Sequence, residues 1–192
     1  MNTRDRIVGA AADVMTEKGV AAATTREIAR AAGCSEALLY KHFASKQELF
    51  VAVLNERMPP LPDPLDLVGA GSVEENLRTL LSALVSFYVE SFPMAASIFG
   101  SPSLRDAHRE SMAEMGAGPE GPALLVRAYL DAEVASTRIS SAVDTRSLAR
   151  ALTGAALFEA FQAAYAGQGE VALVGEVAHR IVDAVTRGLA RD

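Results

Sequence analysis

A chain of 192 residues allows one domain, or a small domain joined to a larger one, and its composition (50% hydrophobic, 22% charged) excludes a disordered polymer. The formal charge of −6 excludes a uniformly basic surface, and a single Cys excludes both an internal disulfide and a Cys-based zinc site. With no Trp and only 6% aromatic residues, the core must be built from Ala, Leu and Val, which favours packed helices over strands.

The chain opens Met1-Asn2-Thr3-Arg4 with no apolar leader, and no run of about 18 uncharged apolar residues follows. The expectation is a cytoplasmic protein without membrane association. Ile7, Ala11, Val14 and Met15 form a helical stripe, with Thr3 placed to cap it and Gly19 to end it. Residues 24–54 hold three short capped helices, described below. Met58 to Pro64 then carries four of the eight prolines and breaks the helical pattern. Beyond it, Leu77, Leu80, Leu81, Leu84, Phe87 and Tyr88 predict a helix from Val73 to about Phe92. Further helices are expected at Leu104–Met115, Ala123–Thr137, Arg146–Ala166 and Val171–Arg191, with the Gly- and Pro-rich stretch 116–122 as a loop. No alternating strand pattern of useful length occurs. The predicted class is all-α: residues 1–57 as one domain, residues 58–192 as a second. The first holds eight basic and seven acidic side chains against ten and seventeen in the second, so an almost neutral head sits on an acidic body.

The head carries the chemistry. Thr24-Thr25-Arg26-Glu27 reads as a capping box opening a helix whose inner face is Ile28, Ala29 and Ala32. Gly33 suits a left-handed stop, and Ser35 caps a second helix, Glu36 to Phe43. Ser45-Lys46-Gln47-Glu48 is another capping box, opening a third helix with Leu49, Phe50 and Val53 inward. Two short helices joined by a Gly-containing turn are a helix-turn-helix signature. The second would span about 12 Å, close to the width of a DNA major groove. At 100° per residue Leu39 and Phe43 share the core side. Ala37, Leu38 and Lys41 then face outward, flanked by Tyr40 and His42. A three-helix structural module would give the same apolar pattern.

The stretch TTREIARAAGCSEALLYKHFASKQELF, Thr24 to Phe50, resembles the N-terminal domain of the TetR family of bacterial transcriptional regulators. The resemblance rests on Thr24, Ile28-Ala29, Ala32-Gly33, Ser35, Leu39-Tyr40, Phe43 and Lys46, and covers about the first 57 residues closely. It implies that Thr24 or Thr25, Ser35, Tyr40, His42 and Lys46 contact phosphates, and that Glu36, Ala37 and Lys41 lie near the bases. Two positions depart from the commoner pattern. Cys34 stands where Val is usual, as a small buried hydrophobe or a redox sensor. Glu36 can accept from a cytosine amine or simply favour the helix N-terminus.

The resemblance further implies a second domain that dimerises and binds a small effector, with no cofactor. Ala149, Thr153, Ala156, Ala160 and Ala163 or Ala164 form a small-residue stripe. With Val174, Val177, Ala178, Ile181 and Val185 it is expected to build a homodimer interface from the last two helices. Phe87, Tyr88, Phe99, Met112, Tyr129, Phe158, Phe161 and Tyr165, with Gln162 as a polar tip, are expected to line an apolar effector cavity. The acidic body mildly favours a cationic or neutral effector, although its ten Arg side chains keep an acid possible. No GxSxG, GxxxxGK[ST] or HExxH motif occurs, and His108 and His179 lack ligand partners at useful spacing, so neither an enzyme nor a metal site is expected. The resulting expectation is a DNA-binding regulator, a repressor released from a palindromic operator by a mostly apolar ligand. The alternatives are an activator, a ligand-independent DNA-binding protein of the same fold, or a helical dimerisation protein that binds no DNA.

Overall fold

The computed structural model describes residues 2–57, 59–167 and 174–187; the expected limits of the last helix, Val171 and Arg191, lie outside the described residues. All regular structure among them is helical: α1 (Thr3–Lys18), α2 (Thr25–Ala31), α3 (Glu36–His42), α4 (Lys46–Arg57), α5 (Val73–Phe99), α6 (Pro102–Glu114), α7 (Gly121–Ala135), α8 (Thr145–Tyr165) and α9 (Val174–Arg187), with one 3-10 turn at Pro64–Leu67. The chain divides into two compact units, Met1–Met58 with Ser91–Gly118, and Pro59–Glu90 with Pro119–Asp192. The head therefore recruits α6 and the end of α5 in addition to its own first four helices.

In the first unit, α1 is capped by Asn2, not Thr3. The Asp5 N–H donates to Asn2 Oδ1 at 2.9 Å and the Asp5 carboxylate accepts the Asn2 N–H, so Thr3 is already the first helical residue. Ile7, Val8, Ala11, Val14 and Met15 go inward, and Gly19 (φ +80°) stops the helix. The helix α4 buries Leu49, Phe50, Val51, Ala52, Val53 and Leu54, a run too continuous for one face. It is covered on one side by α1 and on another by α6, as a helix that is apolar all round must be. A bidentate pair, Arg4 to Glu56 at 2.6 and 2.9 Å, joins α1 to α4. The same guanidinium lies 5.2 Å from the Phe43 ring centroid, which ties the end of α3 to both helices.

The helix α5 runs seven residues past the expected stop at Phe92. Pro93 removes one backbone donor, a limited loss, and the continuation buries Met94 and Ile98 in the first unit's core.

In the second unit, Leu77, Leu80, Leu81, Leu84 and Val85 of α5 pack with Val126, Tyr129 and Leu130 of α7, Ala149, Leu152 and Ala156 of α8, and Val177, Ala178 and Val182 of α9. The proline segment is held down by Asn76, whose Nδ2 donates to the carbonyls of Leu67 (2.7 Å) and Ala70 (2.6 Å). The turn after α7 is pinned by Glu133, fully buried, with Arg138 Nη1 3.4 Å from its carboxylate and Ser136 Oγ donating to it. In that turn Thr137 takes φ +61°, the one non-Gly positive φ among the described residues.

Candidate nucleic-acid interface

The α2–α3 turn is built by backbone bonding. Gly33 (φ +65°) gives its N–H to Arg30 O at 3.1 Å and Cys34 gives its N–H to Ala29 O at 2.9 Å, the paired bonds that close a helix through a left-handed residue. Ser35 then accepts the Leu38 N–H at 3.1 Å and starts α3. Because Leu39 is fully buried and Phe43 nearly so, the seven-residue helix has only one way to face. Ala37, Tyr40, Lys41 and His42 are exposed, with Tyr40 at 49%, and Leu38 is half-buried beside them.

The polar groups of this face are already ordered. At the start of α2, Thr24 Oγ1 accepts the Glu27 N–H, while Glu27 Oε2 accepts both the Thr24 N–H and its hydroxyl. Lys18 Nζ donates to Glu27 Oε1 at 2.7 Å. That hydrogen bond, with those from Thr24, pulls the Glu27 carboxyl down to about 2. The Thr25 hydroxyl donates to Glu36 Oε1 at 2.6 Å and lies 3.3 Å from the Tyr40 hydroxyl. With the single Thr25 proton committed to Glu36, Tyr40 must be the donor to Thr25. This Tyr40–Thr25–Glu36 relay links the start of α2 to α3. It gives Glu36 a partner that its sequence position did not show, neither base nor helix terminus.

Lys46 is less free than its position at the head of α4 suggests. It is half-buried, donates to the Ala21 carbonyl at 3.3 Å, and burial lowers its pKa. The capping box at Ser45 is also shifted: Ser45 Oγ accepts the Glu48 N–H, but Glu48 Oε2 reaches back to the Ala44 N–H. Cys34 is half-buried against the head's core.

Within the second unit, the residues expected to line an effector cavity fall into separate groups and do not converge on one interior. Tyr129 is fully buried in the second unit's core, and burial pushes its hydroxyl up to about 12. Phe87 and Tyr88 are half-buried and meet edge to face at 5.4 Å. Phe99 is 83% exposed and Met112 half-buried, and both belong to the first unit. Phe158, Phe161, Gln162 and Tyr165 lie on the outer face of α8, where the three rings stack in sequence with centroids 6.3 and 6.2 Å apart. The small residues behave in the opposite way. Ala149, Thr153, Ala156, Ala160 and Ala163 are buried inside the unit, with Val177 and Ala178 of α9, while Val185 is exposed. The two faces of α8 are thus the reverse of expectation: its buried face is Ala149, Thr153, Ala156, Ala160 and Ala163 with Leu152, and its aromatic rings lie outside. What the second unit does hold is a cleft of about 460 Å³ beside Tyr88, Leu124, Arg127, Arg146, Arg150 and Leu157. Only Tyr88 among these was singled out from sequence; the Arg residues, spread over two helices, carried no local signal.

The head is a helix-turn-helix domain. Residues 7–53 match the model of the family described as bacterial regulatory proteins, tetR family. The match is confined to this domain, about a quarter of the chain, and makes the head similar to the DNA-binding domain of that family. Over 91 residues it is 38% identical to the HTH-type transcriptional regulator BetI of Rhizobium meliloti (strain 1021), covering 46% of this chain and 44% of that one. Over 85 residues it is 43% identical to the HTH-type transcriptional activator FasR of Mycolicibacterium smegmatis, covering 44% of this chain and 38% of that one. The matched segments thus span less than half of either relative. Likeness of fold extends further: the FadR regulator of Bacillus subtilis superposes with a TM-score of 0.74 at 17% identity, over 97% of this chain and 99% of that one. Among the described residues no helix is long and apolar enough to cross a membrane.

Proposed function

We propose that the protein is a ligand-responsive transcriptional repressor that binds a palindromic operator as a homodimer. The observation that carries this reading is α3, which buries Leu39 and Phe43 and turns Ala37, Tyr40, Lys41 and His42 outward on a relay-ordered frame. A small side chain and a cation at the centre of a 7-residue helix suit base edges. The Ser35 hydroxyl, whose proton is uncommitted, suits a phosphate directly, and those of Thr24, Thr25 and Tyr40 would exchange their internal bonds for a phosphate oxygen, with His42 and Lys46 supplying charge. Two such helices, related by a two-fold axis, would enter successive major grooves about 34–36 Å apart.

For the dimer, the outer face of α8 is the better candidate than the buried small-residue stripe. Phe158 (56% exposed) and Tyr165 (87% exposed) present apolar area to solvent, and α9 leaves Val185 exposed as well. Residues 1–57 would supply the DNA contacts, and the body from residue 58 onward the effector and dimer functions. Ligand control is supported by the shared fold with FadR, whose structure is described as a complex with stearoyl-CoA. Release of DNA by 100-fold requires about 2.7 kcal/mol of coupling, and linkage obliges operator DNA to weaken the ligand by the same factor. Because the relative FasR is named an activator, the sign of regulation depends on where the operator lies.

Selection from a randomised duplex pool tests the reading. The protein should enrich a palindrome and sediment on it as a dimer, and one isolated half-site should bind at least about 100-fold more weakly. Enrichment of no sequence, or equal affinity for half and whole sites, would overturn it.

A further inference from the structure

The cleft in the second unit has an unusual lining for an acidic protein. Three guanidiniums, Arg127, Arg146 and Arg150, face one carboxylate, Glu120, whereas the chain as a whole is at −6. On α8, Arg146, Arg150 and Leu157 fall within about 40° of one another at 100° per residue, so they share the edge that faces α7. That edge is distinct from the outermost line of Phe158 and Tyr165. Across from it α7 contributes Ala123, Leu124 and Arg127, and α5 contributes Tyr88.

None of the three cations is firmly engaged. Arg146 takes part in no ion pair within 4 Å among the described residues, while Arg150 Nη1 sits 3.7 Å from Glu120 Oε1 with both side chains about two-thirds exposed. A pair of that kind holds its partners weakly. Arg127 Nε lies 3.2 Å from Asp131 Oδ2, yet its N–H is not aimed at that oxygen and the buried nitrogen makes no hydrogen bond. The cleft also receives the start of α7, where Glu120 makes no side-chain cap bond to the first turn, leaving the helix end electropositive. The remaining lining is apolar at Pro119, Ala123, Leu124, Leu157 and the Tyr88 ring, with Thr153 as its one uncharged hydroxyl besides tyrosine, already donating to the Ala149 carbonyl at 2.8 Å. At Gly154 a Cβ would meet nothing within 4 Å, so glycine there leaves space and relieves no clash.

We propose that this cleft is the effector site and that its ligand is an organic anion with an apolar body, a carboxylate or phosphate monoester on a hydrocarbon of about ten carbons. The Arg127, Arg146 and Arg150 guanidiniums take the anionic head, in the forked geometry that carboxylate and phosphate oxygens fit. Leu124, Leu157 and Ala123 take the hydrocarbon, and a volume of about 460 Å³ lies in the range of small-molecule sites. This rests on the reading that the second unit binds an effector, and it reverses the expectation, drawn from net charge alone, of a cationic or neutral ligand. The local lining outweighs the distant acidic surface because exposed charges beyond a Debye length of about 8–10 Å are screened.

Titration calorimetry on the full chain, with decanoate, decyl phosphate, decanol and decyltrimethylammonium below their micellar concentrations, tests the proposal. Either anion should bind at least about tenfold more tightly than decanol, and the ammonium should not bind, since the head group's charge-assisted bonds supply the difference. Preference for decanoate or for decyl phosphate identifies which head the site fits. Arg146→Gln with Arg150→Gln should erase the preference for the anion, and Gly154→Leu should weaken both anions and decanol while helix content stays that of the wild type. Equal binding of decanol and decanoate, no binding of either anion, or an unchanged preference in the Arg variants would each overturn the site. Operator binding followed in the same samples keeps the two readings apart. Anion binding at the cleft with DNA affinity unchanged would support the site and remove ligand control. DNA release by an uncharged compound insensitive to Gly154→Leu would do the reverse.

Discussion

The outward faces of α3 and α8 are both surfaces left after the core has taken its share, and they differ in what holds them. Around α3 the polar groups are tied by hydrogen bonds to neighbouring chain: Tyr40 to Thr25, Thr25 to Glu36, and Ser35 to the Leu38 N–H. On α8 the outermost groups are aromatic rings stacked on one another, with loosely paired arginines along the edge toward α7. A preorganised polar face suits a rigid, charged partner such as duplex DNA, since little order is lost on binding. A face of rings and loosely paired guanidiniums suits apolar or adaptable partners. The inner faces differ as well. Under α3 the core accepts the large Leu39 and Phe43, whereas under α8 it accepts Ala149, Ala156 and Ala160. Local volume, more than hydrophobicity, decides which side chains go in.

The largest effect should come from inverting the α8 comparison. Ala160→Glu places an unpartnered carboxylate in the core and is expected to cost at least about 3 kcal/mol in urea unfolding. Phe158→Glu, on the outer face, should leave the helical circular-dichroism signal intact while abolishing the dimer in sedimentation. Retention of the dimer by Phe158→Glu would send the interface elsewhere. The corresponding cut in the head, Leu39→Ala, is expected to cost about 2–4 kcal/mol, because a fully buried side chain is lost from a short helix with few other anchors. Next comes Thr137→Gly in the second unit. A β-branched residue at φ +61° is strained, so glycine should raise stability by about 1 kcal/mol, read as a higher urea midpoint with an unchanged slope.

The smallest effect lies back in the head and depends on pH. The Glu27 carboxyl titrates near 2 when folded, against an ordinary value of 4.5. Its contribution is therefore present above about pH 4.5 and is lost as pH falls toward 2. Glu27→Gln should flatten that part of the acid-unfolding profile, and an identical profile for the variant would show that the Lys18–Glu27 contact is idle.

The same comparison explains what could be read from the sequence. In the head, caps and stops are local: Thr24 with Glu27, Gly33 with Ser35, and the Leu39–Phe43 spacing each determine a feature within a few residues. Even the misplaced cap at Thr3 was wrong by one position. Recognition of the family rested on those same residues. In the body, Ala and Leu occur both inside and outside α8, so periodicity does not rank its faces, and the large rings expected inward lie outside while Leu152 and the small residues fill the core. The burial along α4 depends on α6, about 50 residues away in sequence, and the continuation of α5 beyond Pro93 on the first unit's core, which takes Met94 and Ile98; no local pattern announces either. The arginine cleft is assembled from α7 and α8 and becomes visible only once both are placed.

The central claim is that α3 reads DNA sequence while the groups around it hold the backbone. Equilibrium binding of a selected palindrome and a scrambled duplex, each across a salt series, tests it most directly with Lys41→Ala and Lys46→Ala. The account predicts that Lys41→Ala lowers the ratio of the two affinities by about tenfold, the worth of one good base contact. Lys46→Ala should weaken both duplexes alike and reduce the salt slope by about 0.9, the share of one phosphate. A ratio unchanged in Lys41→Ala, or a changed ratio with an untouched slope in Lys46→Ala, would contradict it.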